Sequence, residues 1–525
     1  MSGGPSPPDP LSHPLPPSGR GGNRDLEKRA NRLALLAAFF LFVALALFGA
    51  RVHWVEEAGT AERDGYVAQA EQILHGTLPR DPFRPLLYPI LTAGLALVTR
   101  NAFVAARLIS NLAAAALAWQ CWAFGRRLGG VWAFWGMALA AVNPNLWILG
   151  QHVSTDMLFA ALAAGVLLAG LCYLEEPRLA TALLGGALLG LAAFTRSNAV
   201  FLVPPLLAAW WLAPPSEQTT KKRRLAHLAA AVGLAILVLV PHWALRQAAF
   251  GDPFHDENWK NLAWKLHGYP DWSYLDRVPY SGGLAVVRDD PAGVVRGGFA
   301  ELGRFFFGGG ASQLFGTWVH VLLLAAGIGM VLCNRQRRRP ALWLLGSCGL
   351  FLVAIAFVFF TWGRLLLLLL PPVYALGFAV FEGLGRRRAL NVLAAALVLL
   401  LAVKTFGFRL PDFVSHHPYR EVAMLRRLDP SLPPEAALAG TSPFLGRYLG
   451  HAYVDLPDAF GPEIADPRLW FSRVEPLLRQ SHVVYVVAGA TDLRDRPASL
   501  LKTGDPVPWL HLVEEKDGVA VWQVR

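Results

Sequence analysis

Carboxylates sit at the edges of long apolar runs in two places in this chain, Glu62-Arg63-Asp64-Gly65-Tyr66 and His152-Val153-Ser154-Thr155-Asp156. An acid held at a membrane boundary is costly enough to mark a functional site, although acids also favour helix N-termini and Asp156 is placed to cap one. Between them lies Asp81-Pro82-Phe83-Arg84-Pro85-Leu86-Leu87-Tyr88-Pro89, a rigid aromatic stretch whose cation is Arg84. A guanidinium suits a phosphate through two parallel hydrogen bonds, and it also snorkels to lipid headgroups. Further cations stand at Arg196 and at Arg364, the latter in Thr361-Trp362-Gly363-Arg364 ahead of a leucine run.

The elements that must position these groups are membrane spans. With 54% hydrophobic and 16% charged residues over 525 positions and a mean hydropathy of +0.39, the chain is too apolar for an ordinary soluble domain. Apolar runs of spanning length recur from Leu33 to about Phe406, bounded by charges or by Pro and Gly. The net charge of +11 collects in short loops beside these runs, which is the pattern of membrane orientation and excludes a nucleic-acid groove. Cys121, Cys172, Cys333 and Cys348 all lie in or beside apolar segments, so neither a disulfide framework nor a zinc site is implied.

Residues 1–32 read as a disordered cytoplasmic tail, rich in Pro, Gly and Ser and ending in Arg24, Lys28, Arg29 and Arg32. The basic loops at Arg126-Arg127, Lys221 to Arg224, Arg335 to Arg339 and Arg386 to Arg388 belong on the cytoplasmic side. That parity requires the segment 86–98, about 13 residues with Pro89 inside, to lie in or dip into the outer interface, because a crossing needs roughly 20 residues. About eleven crossings then remain within residues 33–408. The first external loop spans 51–102, a long external loop spans 246–311, and residues 409–525 form an extracytoplasmic α/β domain with strand-like runs at 482–489 and 519–524. In the first loop, Val67, Ala70, Ile73 and Leu74 fall at helical spacing, as in an interfacial amphipathic helix with Glu62 and Asp64 near its start.

The order of these motifs carries a resemblance. An acidic residue before Tyr66, a stop at Gly76, RPLLYP at 84–89, AARLISNL at 105–112, VSTDMLF at 153–159 and GALLGLAAFTR at 186–196 occur in sequence. Over residues 33–380 this resembles the GT-C superfamily of membrane glycosyltransferases, in the branch of protein O-mannosyltransferases and the lipid A aminoarabinose transferase (family 39-like). The resemblance implies a polytopic α-helical fold and an inverting transfer of a sugar from a polyprenyl-phosphate donor. By position it makes Asp64 the general base and Asp156 the second-loop acid. It places Arg84 as a basic residue before proline and Arg364 as a late external arginine for the carrier phosphate. Relatives commonly carry adjacent acids at the first motif. Here Glu62 and Asp64 are separated by Arg63, and Asp64 is favoured because Tyr66 follows at the family's spacing.

The chemistry suits those residue types. Glycosyl transfer builds positive charge at the anomeric carbon and an anionic leaving phosphate, so a site needs a carboxylate to take the acceptor proton and cations to hold the phosphate. Asp64 and Arg364 supply both, with Arg84 and Arg196 as auxiliaries. A divalent cation, Mg or Mn, between Asp64 and Asp156 stays open, and no other cofactor is expected. Tyr66, Tyr88, His152, Trp259, Lys265 and His267 are the candidates for sugar and acceptor contact, while an interfacial aromatic belt would give the same composition.

The expected partners are the lipid-linked donor, membrane lipids and a glycan, lipid or protein acceptor. The expected site is a bacterial inner membrane. A flippase of lipid-linked sugars would need charges buried at mid-membrane and an internal repeat, and a non-catalytic envelope assembly protein would need only exposed aromatic loops.

Overall fold

The computed structural model describes residues 20–52, 65–81, 83–128, 130–214, 220–267, 280–379, 381, 387–415, 419–440, 449–456, 466–489, 507–516 and 518–525. Glu62 and Asp64 lie outside the described residues, as do residues 1–19 of the tail expected to be disordered, whereas its remainder from Arg20 belongs to the helix Arg20–Val52.

The apolar runs form helices because helices satisfy their own backbone hydrogen bonds where lipid offers none. Among the described residues, six helices are long and apolar enough to cross a membrane: Lys28–Val52, Ala102–Leu128, Thr155–Glu175, Lys221–Phe250, Arg337–Val358 and Arg388–Val414. Shorter apolar helices cover Leu87–Thr99, Leu179–Thr195, Ser197–Leu212, Trp318–Cys333 and Leu367–Ala379. The apolar run 131–149, long enough to read as one crossing, is instead a broken element, Gly130–Trp132, Ala133–Ala141 and Pro144–Leu149. Pro144 offers no backbone N–H and drives the residue before it out of the helical region, and Asn143 accordingly sits at φ −71°, ψ 128°. Its buried side chain re-satisfies the break. The amide oxygen accepts from the Asn145 N–H at 2.8 Å, and the amide nitrogen donates to the Leu314 carbonyl at 2.9 Å and to the Tyr374 hydroxyl at 2.8 Å.

Small residues set how closely the helices approach. A Cβ on Gly186 would meet the Ala231 carbonyl at 2.2 Å, and one on Gly190 would meet the Ala235 carbonyl at 2.9 Å, so the 179–195 and 221–250 helices touch backbone to backbone. Gly327 and Gly377 do the same between the 318–333 and 370–379 helices. The segment 86–98 is one helix, Leu87–Thr99, which packs beside Ala102–Leu128 and ends at Arg100 in the left-handed region (φ 55°). The amphipathic helix expected in the first loop runs Tyr66–Leu74, with Val67 and Ala70 buried.

Beyond the bundle, a five-stranded sheet has β1 (Ala437–Gly440), β2 (Ala452–Asp455), β3 (Val483–Gly489), β4 (Leu510–Lys516) and β5 (Val519–Val524) in the order β2-β1-β3-β5-β4. β1 pairs in parallel with β2 and β3, whereas β5 runs antiparallel to β3 and β4. The Pro467–Gln480 helix buries Trp470, Phe471, Val474 and Leu478 against it. The two strand-like runs read from the sequence are β3 and β5.

Close approach at Gly186 makes a specific demand. Gly186→Ala should lower the thermal midpoint of the purified protein by an amount corresponding to about 1–3 kcal/mol, since the added methyl meets backbone. Gly233→Ala, whose Cβ meets nothing within 4 Å, should leave the midpoint unchanged or raise it.

Candidate active site

Two antiparallel helices, Thr155–Glu175 and Leu179–Thr195, are joined by a turn of three residues. The start of the first and the end of the second therefore share one end of the bundle, which brings Asp156 to Arg196 although 40 positions separate them. The Ser154 hydroxyl caps the first helix, accepting from the Asp156 N–H at 3.4 Å and donating to Asp156 Oδ2 at 3.0 Å. Asp156 Oδ1 accepts from the Arg196 guanidinium. Arg364, in the short 3-10 turn Gly363–Leu365, comes to 4.0 Å from Asp156 Oδ2. Asp156 is only 3% exposed. A carboxylate buried that deeply survives ionised because two guanidiniums and a hydroxyl face it.

These groups line an open cleft of about 230 Å³ whose wall also includes Tyr66, Arg84, Asn198, Trp259, Asn261 and Phe359. Tyr66 is the first residue of its helix, and its hydroxyl lies 3.2 Å from Thr155 Oγ1, while its ring meets Tyr88 edge-on at 5.3 Å. Arg84 is held by Asp81 at 3.1 Å and lies over the Tyr66 ring at 5.8 Å. Asp81 also accepts from the Phe83 N–H (2.8 Å), the Arg84 N–H (2.9 Å) and Gln69 Nε2 (2.7 Å), so the loop carrying Arg84 is pinned at its base. Asn258 Nδ2 donates to the Phe83 carbonyl at 2.6 Å, tying the long loop to the first one.

Of the residues singled out from the sequence, the structure brings Asp156, Arg84, Arg196, Arg364, Tyr66 and Trp259 to one cleft. Asp64 and Glu62 are outside the described residues, but Tyr66, two positions beyond Asp64 in the chain, lines the wall. Tyr88 is fully buried behind Tyr66, donating to the Ala106 carbonyl at 2.8 Å. His152 packs near Phe413, with ring centroids 6.1 Å apart. Lys265 donates to the Ala356 carbonyl, and His267 stacks on Tyr280 at 5.8 Å. These four side chains do not line the cleft, because each is turned onto a neighbouring element.

Sequence reasoning missed the neutral polar lining, Ser197, Asn198, Asn258 and Asn261, and the buried Glu301 described below. No spacing marks such residues, since their partners are distant in the chain. Of the pair considered for a divalent cation, Asp64 lies outside the described residues, and the Asp156 oxygens face Arg196, Ser154 and Arg364. The described residues contain no group of three or more His, Cys, Asp or Glu that could hold one.

A family model described as dolichyl-phosphate-mannose-protein mannosyltransferase matches residues 83–244, the stretch that carries Arg84, Asp156 and Arg196. The structure of ArnT from Cupriavidus metallidurans bound to undecaprenyl phosphate is similar at a TM-score of 0.55 and 16% identity, over 92% of this chain and 97% of that one. Its apo form matches at 0.53 and 17%, over 93% and 98%. The apo oligosaccharyltransferase of Archaeoglobus fulgidus matches at 0.52 and 13%, over 87% of this chain and 70% of that one. At such identities the likeness is one of fold. No curated protein matches the chain by sequence.

The Asp156 cluster has a measurable signature. Arg196→Met leaves a buried carboxylate short of its main partner and should destabilise the protein by roughly 3 kcal/mol. Combining it with Asp156→Asn should make the drop in thermal midpoint smaller than in Arg196→Met alone.

Proposed function

We propose that this chain is an inverting glycosyltransferase that moves a sugar from a polyprenyl-phosphate donor to an envelope glycan, lipid or protein acceptor on the outer face of a bacterial inner membrane. In the proposed topology the N-terminus is cytoplasmic and the C-terminal sheet domain is extracytoplasmic. The observation that carries the reading is a cleft at one end of the bundle where Arg196 and Arg364 face the buried Asp156 and Arg84, held by Asp81, joins them in the wall. Three cations against one carboxylate among the described lining residues make a site for an anion, and the planar fork of arginine matches phosphate oxygens. The undecaprenyl phosphate in the ArnT structure is a ligand of that chemical class.

In this mechanism Asp156 is an orienting group, since its oxygens are occupied by Arg196 and Ser154. It holds the guanidiniums toward the cleft before the donor arrives, so little reorganisation accompanies charge development. The acceptor oxygen attacks the anomeric carbon from the face opposite the phosphate. As that bond forms, the bond from carbon to phosphate oxygen breaks, and its electron pair leaves on the phosphate, which passes from one negative charge to two. Arg364 and Arg84 stabilise the added charge. The acceptor proton passes to a carboxylate, for which Asp64 is the candidate by its position two residues before Tyr66. Trp259, Asn198 and Asn261 are placed to contact sugar hydroxyls and ring faces.

Membranes containing the full chain, supplied with radiolabelled polyprenyl-phosphate sugars, should transfer label to an acceptor. Arg364→Ala should slow transfer by about 10²-fold or more, and Asp64→Asn by about 10²–10⁴-fold. Label moving from a nucleotide sugar with no lipid intermediate would overturn the donor class. Cysteines introduced at Phe299 and Arg468 in a cysteine-free background should react with an impermeant thiol reagent added from outside, and protection of both until lysis would reverse the proposed topology.

A further inference from the structure

The cleft residue that sequence and geometry agree on, Arg364, stands on a turn of irregular backbone just past the end of the Arg335–Val358 helix. Irregular backbone beside a membrane needs partners for its polar groups, and here they come from a different part of the chain. Glu301, on the Pro291–Phe306 helix of the long loop, is 3% exposed. Its Oε2 accepts from the Thr361 N–H at 2.8 Å and from the Thr361 hydroxyl at 2.9 Å. The same hydroxyl lies 3.2 Å from the Glu301 carbonyl, and Glu301 Oε1 accepts from Arg304.

A second contact braces the same corner. Lys265, on the Lys260–His267 helix, donates to the carbonyl of Ala356, one of the last carbonyls of the 335–358 helix, where a cation is favoured. Burial pushes the Lys265 ammonium down to about 8 even with Glu301 nearby to support its charge. The two loop helices and the span fit tightly there. A Cβ on Gly298 would meet the Phe357 ring at 2.6 Å, and one on Gly297 would meet the Lys265 side chain at 3.3 Å. Neither Glu301 nor Lys265 lines the cleft, so neither acts on substrate directly.

We propose that Glu301, assisted by Lys265, is a positioning residue that clamps Thr361 and the end of the 335–358 helix, and thereby holds the Arg364 guanidinium in the cleft. The inference rests on the donor-phosphate role given to Arg364 above. It adds that the Pro291–Phe306 helix of the long external loop sets the geometry of that cation, so Glu301 contributes to donor binding without touching the donor.

A double-mutant cycle separates the two claims. Binding of a fluorescent polyprenyl phosphate to the purified full chain is measured for Arg364→Ala, Glu301→Ala and the pair. Glu301→Ala should weaken binding about tenfold in the parent, as expected for a lost charge-assisted hydrogen bond, and by less than about twofold in the Arg364→Ala background, because coupled residues are not additive. Glu301→Gln, which keeps an acceptor for Thr361, should fall between. Equal losses in both backgrounds, or no loss in the parent, would overturn the positioning role while leaving Arg364 as a phosphate ligand.

If Arg364→Ala itself leaves binding unchanged, the donor-phosphate role falls, and the clamp is then judged from the turn alone. A fluorinated tryptophan at Trp362, assigned with Trp362→Phe, should shift or broaden its ¹⁹F resonance in Glu301→Ala without ligand, and an unmoved resonance would end the inference. Should Glu301→Ala fail to fold, Thr361→Val removes the hydroxyl contact and is read in the same two assays, with the same outcomes deciding.

Discussion

An ionised carboxylate at the edge of a membrane must be paid for by nearby cations, and that requirement organises this protein. Asp156 is nearly inaccessible, yet it opens a helix in which residues 157–172 are all apolar. Unpaired, it would cost several kcal/mol. Arg196 and Arg364 meet it from two other segments, so three stretches of chain far apart in sequence converge on one point. Because the guanidiniums are bidentate and the carboxylate partly engages them, donor capacity remains for an anion in the cleft.

That convergence depends on how the helices stack. Lipid gives no hydrophobic reason for helices to pair, so close packing at small residues and buried hydrogen bonds must do it. Gly186, Gly190, Gly327 and Gly377 let backbones meet, and Asn143 joins a broken segment to Leu314 and Tyr374. The break at Asn143-Pro144 is tolerated because the freed groups find partners inside the protein, which is the condition for irregular backbone at this depth. The same condition explains Glu301 at Thr361. At the Thr361 turn beside the cleft, a buried polar side chain from another segment completes the hydrogen bonding.

Function is therefore divided between parts that contact the cleft and parts that hold them. Arg84 depends on Asp81, and the loop containing both is fastened by Gln69, Asn258 and the buried Arg246, which donates to the Asp81 carbonyl. Tyr66 carries the first-loop helix to Thr155 and so to the Asp156 corner. The long loop, whose aromatic and charged composition suggests ligand contact, instead spends Lys265 and His267 on neighbouring elements and presents Trp259, Asn258 and Asn261 to the cleft.

The helical membrane class, the amphipathic segment at Tyr66–Leu74 and the strands β3 and β5 were legible in the sequence because each follows from a local period or from apolar length. So were Asp156, Arg84, Arg196 and Arg364 as a set, because charge at the edge of an apolar run is rare and conspicuous. The tertiary structure alone decided that these charges meet in one cleft, that Asp156 is occupied by arginine and hydroxyl, and that Lys265 and His267 turn away. It alone revealed Glu301 behind Arg364 and the break at Asn143. The reason is the same in each case. Periodicity and charge report what a residue does within its own segment, whereas the partner that satisfies a buried polar group lies tens to hundreds of positions away and is chosen by packing.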